Sequence, residues 1–136
     1  MRKLIVSAMV VGAAGVVAAV AFSQPAAPPA NNVKIYYTDP LEKDPSRTVR
    51  LQSVTIPAGG GNNFHRHPGD QWAAIQEGEV TFTIKGQPPR VLKVGDSVHI
   101  PRGTIHRNQN LSDKPARSIE LNIMDKDKPP IEQVAD

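Results

Sequence analysis

From Val33 to Met124 the chain is written in short apolar runs with a two-residue alternation, each broken within a few residues by Pro, Gly, Asn or Asp. No ten-residue stretch carries a helical period, and 13 prolines with 10 glycines among 136 residues leave little room for long helices. The runs predict strands over Lys34–Thr38, Arg47–Ile56, Asn63–His67, Gln71–Glu77, Val80–Lys85, Arg90–Lys93, Ser97–Ile100, Ile105–Asn110 and Ala116–Met124. Turns fall at Asp39-Pro40, Gly59-Gly60-Gly61, Pro68-Gly69-Asp70, Gly78, Gly86, Gly95-Asp96 and Pro101-Arg102-Gly103. About nine short strands in a chain long enough for a single domain call for an all-β sandwich or barrel, and a double-sheet jelly roll suits the length. The folded unit is expected over residues 33–136, with an irregular tail after Asp125 where Pro129-Pro130 stands.

The chain opens differently. Arg2 and Lys3 precede a run from Leu4 to Phe22 that is apolar except for Ser7, followed by small residues suited to a signal peptidase at Ala19-Val20-Ala21 or Ala21-Phe22-Ser23. Residues 1–23 are therefore expected to be a signal peptide or, if uncleaved, a membrane-anchor helix, since about 17 to 25 apolar residues can span a bilayer. Either reading places the remainder outside the cytoplasm, periplasmic or secreted, with membrane contact only through this segment if it is retained. Residues 24–32 (QPAAPPANN) have nothing to bury and form an extended linker.

The formal charge of +3 falls by two without Arg2 and Lys3, and the remaining Lys and Arg residues form no basic stripe interleaved with aromatics, so a nucleic-acid partner is not expected. Cysteine is absent, which excludes disulfides, thiolate ligands and a cysteine nucleophile. Any metal must be held by nitrogen and oxygen donors.

Such donors are present. His65 and His67 stand two apart in a predicted strand, so both imidazoles leave one face, about 6 to 7 Å apart along the chain. After the Pro68-Gly69 turn, Gln71 begins the next strand, where its amide oxygen can return to the same centre. Near the other end, the turn at Pro101-Arg102-Gly103 delivers His106. A fold that preforms such a donor set has already met the ordering cost of binding an ion.

These residues resemble the two signature motifs of the cupin superfamily. The first, G-x5-H-x-H-x3/4-E-x6-G, is matched by Gly59, His65, His67 and Gly78, with Gln71 where the family most often has Glu. The second, G-x5-P-x-G-x2-H-x3-N, is matched throughout by Gly95, Pro101, Gly103, His106 and Asn110. Four correct residues after Gly95 arise by chance on the order of once in 10⁵ starts or less. The resemblance implies a double-stranded β-helix, or jelly-roll barrel, with one divalent transition metal between the sheets. Its identity among Fe, Mn, Ni, Cu and Zn is left open. Carried over position by position, the ligands are His65, His67, His106 and Gln71. A neutral Gln in place of Glu leaves the ion's charge less compensated, which weakens its retention and favours anionic substrates.

Other polar residues are less directed. His99 alternates against Val98 and Ile100 and is expected on the face away from the core; Trp72, of opposite parity to Gln71, is expected in packing or an oligomer contact. Candidates for an acid or base are Tyr36, Tyr37, Arg50, Gln52 and Glu120, although Glu120 alternates against Ile119, Leu121 and Ile123 and is expected to point outward. Three functions follow. The chain is a metal-dependent enzyme working on a small oxygenated or anionic substrate by isomerisation, elimination or dioxygenation; or a non-catalytic module holding a metal or small ligand in the cell envelope; or a fold with a vestigial site. Relatives of this size often form homodimers through an edge strand, here Lys34–Thr38.

Overall fold

A computed structural model describes residues 28–135. The signal or anchor segment expected over 1–23, and the first part of the linker, lie outside the described residues. No helix of the described residues is long and apolar enough to cross a membrane.

Ten strands follow in order: β1 (Asn32–Leu41), β2 (Asp44–Ile56), β3 (His65–Arg66), β4 (Gly69–Glu77), β5 (Glu79–Ile84), β6 (Arg90–Lys93), β7 (Ser97–Ile100), β8 (His106–Gln109), β9 (Ala116–Asp125) and β10 (Glu132–Gln133). They form two five-stranded sheets, ordered β1-β2-β9-β4-β7 and β10-β3-β8-β5-β6, with antiparallel pairing throughout the described residues. The nine predicted strands are all present. The tail expected to be irregular instead contributes β10, which pairs with β3 and adds a strand the two-residue pattern could not signal at that length.

Side chains paired across a sheet share a face, so the register defines rows. Two rows of the first sheet point inward: Ile35–Gln52–Glu120–Ala73–Val98 and Thr38–Arg50–Asn122–Gln71–Ile100. The row between them, Tyr37–Leu51–Leu121–Trp72–His99, faces outward. Trp72 is 40% exposed there and its ring stacks on His99 at 4.8 Å, as the parity of both residues predicts.

The same parity corrects the expectation for Glu120. It points inward and is only 5% exposed, while Leu121 is exposed. An apolar-in rule fails on β9 because its middle does not cover an oily core. Ala116 joins the apolar cluster of Val54, Ile56, Ile75, Val80, Phe82, Leu92 and Ile100, but the next inward residues, Ser118, Glu120 and Asn122, are polar, and Glu120 and Asn122 line a cavity. The barrel thus has two halves. Burial of the aliphatic and aromatic cluster, at about 1.5 to 3 kcal/mol per large side chain, stabilises one end and leaves the other free to carry polar groups.

Close approach of backbones fixes where β4 lies. At Gly69 any Cβ would run into the Ile123 carbonyl and the Met124 Cα of β9, so only glycine lets the strand pair this tightly and place Gln71 two residues on. Gly103, at φ +76°, turns the chain after Pro101 and points it into His106.

Candidate metal centre

His65 and His106 are direct partners across β3 and β8, and His67 is the first residue after β3. All three imidazoles are buried, with ring centroids 4.4 to 5.2 Å apart. One nitrogen from each lies within 4.8 Å of the others, a spacing that allows a common ion.

Chemistry decides which nitrogens face inward. Each Nδ1 contacts a backbone carbonyl: Asn63 at 2.9 Å for His65, Pro130 at 2.7 Å for His67 and Thr104 at 3.0 Å for His106. A carbonyl only accepts, so each Nδ1 carries the proton and donates it, leaving Nε2 as the free lone pair. Nε2 of His67 and of His106 is buried with no hydrogen-bond partner among the described residues. Orphaned basic nitrogens held apart from water are costly unless something binds them, and three neutral imidazoles with carbonyl-fixed tautomers are what a transition metal requires. Burial, above all, holds the three below the ordinary histidine value, His106 at about 4; repulsion among the imidazoles lowers His65 and His106 further, while the carbonyl contacts act the other way. They are neutral at neutral pH.

Opposite the imidazoles lies a network of neutral donors around one carboxylate. Gln52 Nε2 and Gln71 Nε2 donate to Glu120 Oε2 at 2.9 and 3.1 Å, and Ser118 Oγ donates to Glu120 Oε1 at 3.0 Å. Gln71 Nε2 also donates to Asn122 Oδ1 at 2.9 Å. Burial pushes the Glu120 carboxyl above the usual range, partly offset by the Gln52 and Ser118 bonds and by the nearby His65. Gln71 is 4% exposed and lines the same cavity as His65, His67 and Glu120. The cavity holds about 290 Å³, and Asn31, Val33, Pro130 and Ile131 are among its lining residues.

Among the other candidates, Arg50 and Gln52 line this cavity, whereas the Tyr36 hydroxyl donates to Ser53 at 3.1 Å and the Tyr37 hydroxyl to Asp39 at 2.9 Å, and neither ring lines it. Ser118, Asn122 and the Pro130 carbonyl escaped the sequence reading. Polar residues at 118, 120 and 122 with strand spacing were the available signal for the first two; a carbonyl in the tail has none.

A closed pair of antiparallel sheets with three converging imidazoles at its polar end defines the class of small jelly-roll proteins with a candidate metal site. The chain belongs to the cupin domain family, whose model matches residues 52–122. Over 76 residues, 56% of this chain, it is 36% identical to the dimethylsulfoniopropionate lyase DddQ of Ruegeria pomeroyi, and over 63 residues, 46% of the chain, 38% identical to the uncharacterised protein YdbB of Bacillus subtilis. It spans 37% and 52% of the length of these two relatives. The crystal structure of DddQ superposes with a TM-score of 0.55 at 34% identity, covering 60% of this chain and 41% of the other. A cupin-like protein of Thermotoga maritima superposes at 0.60 with 25% identity, covering 77% and 76%.

Proposed function

We propose that the chain is an exported, metal-dependent cupin that acts on a small oxygenated carboxylate by removing a proton and expelling a leaving group. The observation that carries this reading is the set of three buried imidazoles whose Nδ1 protons are all committed to backbone carbonyls, facing a buried carboxylate across one small cavity. The 36% identity to a lyase over the shared segment favours elimination among the cupin reactions.

His65, His67 and His106 would hold the ion through Nε2. Gln71 completes the set, because both of its hydrogen bonds leave from Nε2 and leave Oε1 as a donor atom. A divalent ion in such a site supplies Lewis acidity to a bound oxygen. Glu120 is the proton acceptor. Its Oε2 accepts from two amides and its Oε1 from the Ser118 hydroxyl, which together fix the carboxylate in the wall of the cavity. Desolvation makes that carboxylate a stronger base than one in water, and Glu120 is only 5% exposed.

The test is metal analysis of protein purified from the envelope, followed by turnover assays on small carboxylates bearing a β-leaving group. Near-stoichiometric metal, turnover, and a loss of about 100-fold or more in kcat for Glu120→Gln with metal retained support the reading. Metal without turnover on a broad panel supports the ligand-binding module instead, and protein that folds without retaining metal refutes the centre. Export rests on the Leu4–Phe22 run and is tested by fractionating cells that express the full chain.

A further inference from the structure

Seven arginines lie among the described residues, and six have an evident resting place. Arg47, Arg66, Arg102 and Arg117 pair with Asp70, Glu132, Asp125 and Glu77. Arg107 lies over the Phe64 ring at 4.7 Å, and Arg90 is exposed to water. Arg50 differs. Its Nε, like those of Arg47 and Arg107, is shielded from water with no hydrogen-bond partner among the described residues, but Arg50 alone of the three lines the cavity, and it forms no ion pair there. A guanidinium with one edge shielded from water and no counter-charge at the wall of a cavity is suited to an anion that enters.

A second group points to the same place. Asn122 is the direct cross-strand partner of Arg50, is 3% exposed and lines the cavity, and its Nδ2 has no hydrogen-bond partner. Its orientation is dictated from outside. Glu120 can only accept from Gln71, which makes the Gln71 amide nitrogen the donor on that side; the same nitrogen donates to Asn122 Oδ1, so Asn122 must turn its NH₂ away from Gln71. One chain of three side chains thereby leaves a neutral donor unpartnered beside an uncompensated cation.

The geometry points to a carboxylate subsite formed by Arg50 and Asn122 on the inner face of the β2–β9 pair, which takes the acid group of the substrate while its second oxygen function lies toward the imidazoles. This deepens the proposed function and rests on it in one respect, that the cavity is where substrate binds. It sets a chemical class: short hydroxy-, oxo- or β-substituted carboxylates small enough for about 290 Å³, rather than neutral sugars or alcohols. Arg50 is a specificity residue here, and Glu120 keeps the proton chemistry.

The experiment is calorimetric binding to the full-length, zinc-loaded protein, using lactate, 3-hydroxypropionate and pyruvate, each against its own neutral amide. Wild type should prefer the acids. Arg50→Gln should weaken the preferred acid by about 10- to 100-fold, the worth of a hydrogen bond to a charged group, leave the amide unchanged and retain zinc. Arg50→Lys, which keeps the charge and loses the Nε donor, should recover part of the loss. No acid preferred over its amide, or Arg50→Gln weakening acid and amide alike, overturns the subsite. A wild-type protein that retains neither zinc nor iron, manganese, nickel or copper refutes the metal centre instead, and the same acid-against-amide comparison on that metal-free protein still decides the subsite.

Discussion

Asn110 closes the second histidine motif in sequence, and its side chain is one of the best-buried polar groups in the protein, at 0% exposure. Its Nδ2 donates to the carbonyls of Ile56 at 2.9 Å and Lys114 at 2.7 Å, while Oδ1 accepts from the Ser112 amide at 3.0 Å and its hydroxyl at 2.6 Å. One amide thus ties the end of β2 to the loop that joins β8 to β9. In Asn110→Ala the two bonds from Nδ2 are lost outright, at about 1 kcal/mol each, and the Ser112 groups turn to water at a smaller cost. With the void left behind, the expected destabilisation is about 3 kcal/mol. For a domain of this size that is a fall in Tm of about 12 °C or more. Asn110→Asp sharpens the test, because it keeps the acceptor for Ser112 but turns a carboxylate oxygen toward two carbonyls. It should be more damaging than Ala at pH 7 and recover relative to Ala in acid, where the protonated group can donate one bond. Both variants are measured by urea unfolding followed by circular dichroism. A loss below 1 kcal/mol for Ala, or an Asp variant milder than Ala at pH 7, would refute the assignment of Asn110 as a double donor.

Three further outcomes follow from the same structure. His106 has its folded value lowered from 6.5 to about 4, so the metal-free protein should be most stable above pH 6.5 and lose on the order of 3 kcal/mol as the pH falls toward 4, where the unfolded chain binds the extra proton. Glu120, shifted upward, acts with the opposite sign, so the slope is read as the difference between wild type and His106→Gln in denaturant titrations across this range; no difference would mean the imidazole is not buried neutral. Truncation after Lys128 removes the Pro130 carbonyl that orients His67, together with the short β10, and should lower metal affinity by about 10- to 100-fold in chelator competition while thermal unfolding stays cooperative. Gly69→Ala forces β4 off the β9 backbone and should cost about 1 to 3 kcal/mol in urea, whereas a neutral result would show that the strands can separate there without penalty.

Much of the molecule could be read from spacing. Alternation placed the nine main strands, put Val98 and Ile100 against His99, and set Gln71 and Trp72 on opposite faces, because period two is a property of the local backbone alone. The histidines and the turn residues before them likewise belong to short segments whose geometry is decided within a few residues. Glu120 shows where this stops. Local pattern says which residues share a face, but only the packing of two sheets says whether that face covers hydrocarbon or lines a cavity, and on β9 the answer changes along the strand between Ala116 and Ser118.

Strand parity and turn chemistry, which act over neighbouring residues, determined an all-β chain with His65 and His67 on one face, and it was the motif resemblance that implied His106 and Gln71 join them. Tertiary structure decided the rest: the Pro130 carbonyl behind His67, the amides around Glu120, and the unpaired Arg50 beside Asn122. Those groups meet across tens of residues of intervening chain, and hydrogen bonding and desolvation depend on that meeting rather than on order along the chain.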